Sequence, residues 1–298
     1  MPISEIKVKP VISVLMPLFN AEDFVGQALE SVLAQSFGDF ECLVMDDGSN
    51  DGSAAIVKRL SNTDSRIKYY FQRNKGIAAA LNSLLIRAEG RYIVRLDCDD
   101  LCRPSRFETQ LKYFKNDDDL SILGSKVEVF GGQNVIWHYR QTNLQTRAIQ
   151  LIGNTCLCHP SLMVKREVYE QFKYRKKYPH LEDMDLYCRF LLKGKGRLYA
   201  TREILMDYRL HTDNISKQYS SMQLAQRALC LSALWQQLGI VHDVQDVELF
   251  IGPLMGADYN GDMNSLATSV LAIGEQLSRI NPAVMTEIER RLSRLPGG

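Results

Sequence analysis

Three groups of carboxylates stand where a ligand rich in hydroxyls and phosphates could meet them. The first is Asp46-Asp47-Gly48-Ser49-Asn50-Asp51-Gly52, directly after the apolar run Phe40 to Met45. A carboxylate at a strand end can accept hydrogen bonds from a sugar hydroxyl or a base N–H, and the glycines let the backbone approach that ligand. A polar turn is the plainer account, since Asp-Gly is a strong turn dipeptide; seven such residues in this order after a buried strand favour a ligand site. The second group, Asp97-Cys98-Asp99-Asp100, holds three acids within four residues. One could cap the next helix, but three repel one another unless a cation or a donor-rich ligand neutralises them. Hard oxygens at alternate positions suit Mg²⁺ or Mn²⁺, which keep positions open for phosphate, so the expected ligand is a diphosphate. The third is Glu182-Asp183 at the head of a helical pattern, either a general base or first-turn acids favoured by the helix dipole.

Histidines and basic residues divide between structural and ligand-binding readings. His211, in Tyr208-Arg-x-His, is balanced between a structural role and a place at the metal or diphosphate. His159 favours the structural role, and Arg73 is balanced between contact with a base or diphosphate and a solvated loop. Cys156-x-Cys158-His159 offers too few ligands for zinc and reads as small buried cysteines. Lys173, Arg175, Lys176 and Lys177, flanked by Tyr174 and Tyr178, form a basic stretch just before Glu182. It reads as a solvated loop, with an anionic lipid-diphosphate acceptor or membrane surface as the alternative.

The elements that must position these groups follow from hydrophobic period. Over the first 100 residues, short β-branched runs alternate with amphipathic helical patterns, as parallel strands with crossover helices do. Strands are predicted at Val11 to Met16, Phe40 to Met45, Ile67 to Phe71 and Arg91 to Leu96. Helices are predicted from Phe24 to Leu33, with Asn20 and Asp23 as its cap, and over Ile56 to Leu60 and Ile77 to Ala88. Two strand patterns thus deliver carboxylates to one sheet edge, where open α/β sheets bind ligands. Pro104 suits the first turn of a helix reaching Phe114, and strands at Ile122 to Phe130 and Val135 to Tyr139 follow across Gly131-Gly132. After Lys217, the last lysine, four helical patterns are visible: Met222 to Leu238, Val244 to Met255, Ser265 to Ile280 and Ala283 to Leu295. The expected division is residues 1–217 and a helical appendage over 218–298, which packs back on the core, covers the site or self-associates into a homodimer.

Composition bounds the partners. The 298 residues are 45% hydrophobic and 24% charged, the range of ordinary globular chains, with a net charge of +1 that gives no global attraction to nucleic acid. Seven cysteines without a CxxC pair point to a reducing cytosol. The apolar run Val11 to Phe19 is broken by Pro17 and fits neither a signal peptide nor a span of about 20 residues. A soluble chain, at most peripheral on the inner membrane face, is expected.

The order of motifs resembles the inverting family 2 glycosyltransferases with the GT-A fold. The match runs through Pro17-Leu-Phe-Asn20, Asp46-Asp-Gly-Ser-x-Asp-Gly52, Asn74-Lys-Gly76 with Asn82, Glu89-Gly-Arg-Tyr and Leu96-Asp-x-Asp-Asp100. It continues through His159-Pro160, Glu182-Asp183 and Tyr208-Arg-x-His-x-x-Asn-x-Ser216. It covers about residues 10 to 217. The resemblance implies a mixed, mostly parallel α/β sheet flanked by helices. It places Pro17, Asn20, Asp46, Asp47, Gly48, Arg73, Asn74 and Gly76 at the nucleotide and Asp97 and Cys98 near the ribose. Asp99 falls on a Mn²⁺ or Mg²⁺ ion with His211 beside it, and Asp183 serves as base with Glu182 next to it. The implied donor is a nucleoside-diphosphate sugar, UDP-linked by preference, and the acceptor a glycan or lipid-diphosphate-linked chain of a cell-surface polysaccharide. Arg95 departs from the pattern, being charged where an apolar strand residue is usual, and the Gln-x-x-Arg-Trp motif of processive synthases is absent. A non-catalytic carbohydrate-binding protein on the same fold is the competing reading; loss of Asp99 or Asp183 would mark it, and both are present. A sugar-nucleotide-forming nucleotidyltransferase would carry a Gly-rich, Arg-containing loop where this chain has Pro17-Leu-Phe-Asn, and a nicotinamide oxidoreductase would carry GxGxxG there.

Overall fold

The computed structural model describes residues 9–132, 134–211, 220–242, 247, 251 and 263–292. Strands β1 (Ile12–Leu18), β2 (Phe40–Asp46), β3 (Ile67–Phe71) and β4 (Tyr92–Arg95) are mutually parallel in the spatial order 3-2-1-4. The crossovers are α1 (Val25–Leu33), α2 (Ser53–Thr63) and α3 (Ile77–Leu85). β8 (Met163–Lys165) pairs antiparallel with β4 and joins this half to β6 (Leu120–Phe130). β9 (Arg197–Arg209) runs parallel to β6, while β5 (Leu101–Cys102) and β7 (Val135–Trp137) pair antiparallel with β9 and β6. Among the described residues, one mixed sheet of nine strands results.

Strand alternation divides the core. On β1, Ile12, Val14, Met16 and Leu18 face α1, α2 and α4 (Arg106–Asn116). Leu15, with Leu43, Met45 and Ile93, faces α3, α6 (Arg166–Gln171) and α7 (Glu182–Lys193). Strands buried on both faces read as continuous apolar runs, as β1 and β2 do. The Glu89-Gly90 turn before β4 is fixed by contact with β1 and β2. A Cβ on Gly90 would lie 2.5 Å from the Ser13 nitrogen, and Gly90 N and Glu89 N donate to Ser13 Oγ and Glu41 Oε1, each at 2.8 Å.

The C-terminal helices share a third cluster with α5 (Asn143–Leu151) and α7. Leu231, Leu234 and Trp235 of α8 (Ser220–Gln237), Val270, Ile273 and Leu277 of α9 (Met263–Ser278), and Val284 and Ile288 of α10 (Ala283–Leu292) pack with Leu151, Leu181, Met184 and Cys188. The appendage therefore packs back on the sheet domain. The expected boundary at residue 217 lies outside the described residues, as does the Val244 to Met255 pattern apart from Val247 and Ile251, both helical and buried.

Several local expectations are corrected. Phe24, not Asn20 or Asp23, is the residue before α1, and it makes no side-chain cap. Asn20 is instead held at φ 47° by the 46–52 turn, donating its N–H to Ser49 Oγ and accepting from Asn50 N. Pro104 precedes Ser105, the N-cap of α4, rather than sitting in the first turn. α5, β5, β8 and β9 have no counterpart in the sequence reading: β5 and β8 are too short to show a period, and β9 mixes exposed, half-buried and buried positions.

Candidate active site

The first acidic turn is a scaffold as well as an edge. Asp46 closes β2 fully buried, its Oδ1 accepting from Ser49 N at 2.8 Å and its Oδ2 from Tyr69 Oη at 2.8 Å. Both oxygens are thereby committed to the protein. Asp47 is also buried and grips the neighbouring loop: Oδ1 accepts from Gln72 Nε2 and Lys75 N at 2.7 and 2.9 Å, Oδ2 from Gly76 N at 2.8 Å. Gly48 adopts φ +87°, and a Cβ there would sit 3.0 Å from Asn74 N, so the turn needs glycine. Gly76, at φ +82°, is the N-cap of α3. Arg73 and Asn74 are exposed on this loop, and Pro17 is buried in β1 beside Met45. Thus hydrogen bonds tie Asn20, Asp46, Asp47 and Gly76 into one rim, in which Gly48 stands close against Asn74. Cys98 joins it to the second turn through a hydrogen bond with the backbone of Phe19.

The second acidic turn gathers carboxylates that could hold a cation. Oxygens of Asp97, Asp99 and Asp100 lie within 4.8 Å of one another. One oxygen of each is engaged by the protein. Asp97 Oδ1 forms an ion pair with Arg95, Asp99 Oδ2 meets His211 Nε2 at 2.9 Å, and Asp100 Oδ1 accepts from Arg209 N at 2.9 Å. Asp100 Oδ2 is buried without a hydrogen-bond partner. Burial, reinforced by the Asp99 charge, pushes the Asp100 carboxyl well above its ordinary range, and burial raises Asp97 against the pull of Arg95. Hard oxygens, mutual repulsion and an orphaned buried oxygen fit Mn²⁺ or Mg²⁺. His211 reaches this group through Asp99, with its ring 4.7 Å from that of Phe24. Arg209 also donates from Nε to the Asp99 carbonyl at 2.9 Å, a turn-holding role that the Tyr-Arg-x-His pattern did not disclose.

Glu182 and Asp183 open α7 across the same cavity. This cavity, of about 440 Å³, is lined by Asp97, Asp99, Glu182, Asp183, His159 and Ile77, among others, a volume suited to a small-molecule ligand. Burial, aided by the adjacent Asp183 charge, pushes the Glu182 carboxyl up to about 7. Asp183 is raised by burial too, although its Oδ1 accepts from Met184 N at 2.7 Å. The third acid of that turn, Asp185, is a structural anchor: fully buried, it is bound by Arg175 and by Arg189.

That anchor engages one residue of the basic stretch. Arg175, although exposed, is committed to Asp185, and Tyr174 and Tyr178 are buried, while Lys173, Lys176 and Lys177 are exposed to solvent. Tyr174 Oη meets His159 Nε2 at 2.7 Å and Tyr169 Oη at 2.9 Å, which accounts for His159 as a buried core histidine whose imidazole edge reaches the cavity. Asn82 clamps the Tyr174 backbone at both its N–H and its carbonyl. Cys156 and Cys158 are buried free thiols.

Several lining residues lay outside the sequence reading of the site, among them Gln150 of α5, Tyr187 of α7, and Gln223 and Arg227 of α8. Arg227 is buried and donates to the Gly153 carbonyl at 2.9 Å, and Gln223 Nε2 donates to the His180 carbonyl at 3.2 Å. Tyr187 follows Asp183 by one helical turn, a spacing that could have marked it; nothing in the sequence connects α8 to the cavity.

Residues 13–173 match the model of glycosyl transferase family 2. The chain belongs to the family 2 glycosyltransferases. A Bacillus subtilis (strain 168) protein named as a glycosyltransferase, EpsE, is 32% identical over 214 residues, covering 70% of this chain and 76% of that protein. TuaG of the same organism, named as a glycosyltransferase of teichuronic acid biosynthesis, is 31% identical over 215 residues, covering 70% of this chain and 82% of its own. Among solved structures, Staphylococcus aureus TarS 1–349 in complex with UDP-GlcNAc aligns with a TM-score of 0.64 at 15% identity, covering 96% of this chain and 89% of that one. The Pyrobaculum calidifontis mannosyltransferase PcManGT, in complex with GDP-Man and Mn²⁺, aligns at 0.59 and 16% identity, covering 97% and 87%. The sheet and its flanking helices are thus the GT-A architecture. Among the described residues no helix is long and apolar enough to cross a membrane.

Proposed function

We propose that this family 2 glycosyltransferase transfers a hexosyl or N-acetylhexosaminyl group, with inversion, from a UDP-linked sugar to a glycan or lipid-diphosphate-linked acceptor in the synthesis of a cell-surface polysaccharide. The observation that carries the reading is the opposition, across one cavity, of the Asp97-Asp99-Asp100 turn and the Glu182-Asp183 pair. In this reading Asp99, with Asp97 and Asp100, holds Mn²⁺ or Mg²⁺, which when bound neutralises charge on the departing diphosphate. The rim of Asp47, Gly48, Asn74 and Gly76 receives the nucleotide, with Arg73 at its outer edge. Asp183 accepts the proton of the acceptor hydroxyl as that oxygen attacks the anomeric carbon and the bond to the diphosphate breaks. One direct displacement with a single base on the acceptor side inverts the anomeric configuration. Names among the relatives and structural neighbours, covering teichuronic acid synthesis and complexes with UDP-GlcNAc and GDP-Man, support the donor and pathway classes. The exposed lysines at 173, 176 and 177 suit an anionic acceptor or membrane surface.

The test is transfer from a panel of UDP- and GDP-sugars to glycan and lipid-diphosphate acceptors, with the product linkage read by proton NMR. A linkage opposite in configuration to the donor supports the reading. A retained configuration, or hydrolysis without transfer under every combination, would refute it.

A further inference from the structure

Three polar side chains on the cavity wall have atoms with no protein partner, which is uncommon for buried polar groups. Arg95, at the end of β4, is 2% exposed; its Nη1 is engaged by Asp97, and its Nε makes no hydrogen bond. Tyr187 of α7 is 1% exposed with an unpartnered hydroxyl. Gln150 of α5 is 1% exposed; its Nε2 donates to Cys188 Sγ, and its Oε1 has no donor. The three come from different elements yet line the same cavity, beside Asp97 and Asp183.

Their chemistry is mixed. A guanidinium only donates, an amide oxygen only accepts and a phenol does both. Sugar hydroxyls also do both and complement all three. A carboxylate would match Arg95 and Tyr187 but not Gln150, and would add negative charge to walls that already carry Asp97, Asp99, Glu182 and Asp183 against Arg95 and Arg227. Arg95 holds Asp97, so a ring attached to a diphosphate at the acidic turn lies within reach of this wall.

We infer that Arg95, Gln150 and Tyr187 read the hydroxyls of the transferred sugar and select a neutral hexose ring. The inference rests on the nucleotide-sugar reading of the cavity.

Titration calorimetry of the full chain with Mn²⁺ tests it, using UDP-glucose, UDP-GlcNAc, UDP-glucuronate and GDP-mannose alongside free UDP and GDP. The wild type should bind its best neutral-sugar nucleotide more tightly than the parent nucleoside diphosphate. Tyr187→Phe and Gln150→Met should each weaken that nucleotide sugar by about 3- to 10-fold, and Arg95→Lys by about 10-fold or more, the scale of one lost neutral or charged hydrogen bond. Affinity for the free nucleoside diphosphate should stay within about 2-fold in the Phe and Met variants, each of which should keep a single thermal transition. Wild-type affinity for nucleotide sugar in both of these conservative variants overturns the inference, and so does an equal loss for sugar nucleotide and free diphosphate, or a wild-type preference for UDP-glucuronate. Absence of any nucleotide binding by the wild type would overturn the proposed function itself.

Discussion

Replacing Trp235 by Ala asks whether the C-terminal helices belong to the catalytic unit. The indole is fully buried, donates from Nε1 to the Leu151 carbonyl at 2.8 Å and meets the His242 ring edge-on at 5.3 Å. Truncating a buried Trp costs about 3–5 kcal/mol through lost burial and the cavity left behind. Leaving the Leu151 carbonyl without its donor adds about 1 kcal/mol. A loss of about 5 kcal/mol rivals the whole stability of a marginal domain, about 5–15 kcal/mol. Its effect should reach the site, because Leu151 follows the lining residue Gln150 and Arg227 lies two turns before Trp235 on α8. Differential scanning calorimetry should therefore show one cooperative transition lowered by about 10 °C or more, with weaker nucleotide binding in the folded range. Trp235→Phe keeps most of the ring burial and should lose about 1–2 kcal/mol. A Trp235→Ala protein that keeps the main transition and the nucleotide affinity at wild-type values, while only a minor, separate transition moves, would show that the C-terminal helices stand apart from the catalytic unit.

Three further outcomes follow from single residues. Burial raises the folded-state carboxyl of Glu182 to about 7 from 4.5, so its contribution to stability is fully present below about pH 4.5 and is lost as pH rises through 7; Glu182→Gln should therefore raise Tm more at pH 8 than at pH 4, and an equal shift at both pH values would contradict the buried, strained carboxylate. Asp183→Asn should keep donor binding while turnover falls about 10²-fold or more, and near-normal transfer by that variant would move the base to Glu182. Gly48→Ala forces a β-carbon into a left-handed conformation 3.0 Å from Asn74 N, costing about 1–2 kcal/mol and weakening nucleotide binding; unchanged Tm and affinity would show that the turn relaxes freely.

The parallel half of the sheet was legible because its strands are buried on both faces and its helices carry clear apolar stripes. β1 to β4 and α1 to α3 fall close to their expected places, and both acidic turns follow the strands assigned to them. The antiparallel half was not, since β5 and β8 span two and three residues and take their conformation from long-range pairing with β9, β4 and β6. The same limit holds at the site. Asp97, Asp99, Glu182 and Asp183 line one cavity, whereas Asp46 and Asp47 also hold a turn and a loop through partners beyond the turn, Tyr69, Gln72, Lys75 and Gly76, which lie 23 or more residues along the chain. Arg227 reaches the cavity only because α8 folds back on α5 and α7, a placement set by tertiary packing that no local pattern encodes.

In the proposed function, the acidic turn at residues 97–100 binds the diphosphate of a nucleotide sugar through a divalent ion. Calorimetric titration of UDP and of the preferred UDP-sugar, with Mn²⁺ and after its removal by chelation, in wild type and in Asp99→Asn, tests it most directly. Tight binding is expected only with Mn²⁺ in the wild type, and in Asp99→Asn a loss of about 10-fold or more with the thermal transition kept. Equal affinity with and without the ion, or wild-type, ion-dependent affinity in Asp99→Asn, would contradict it.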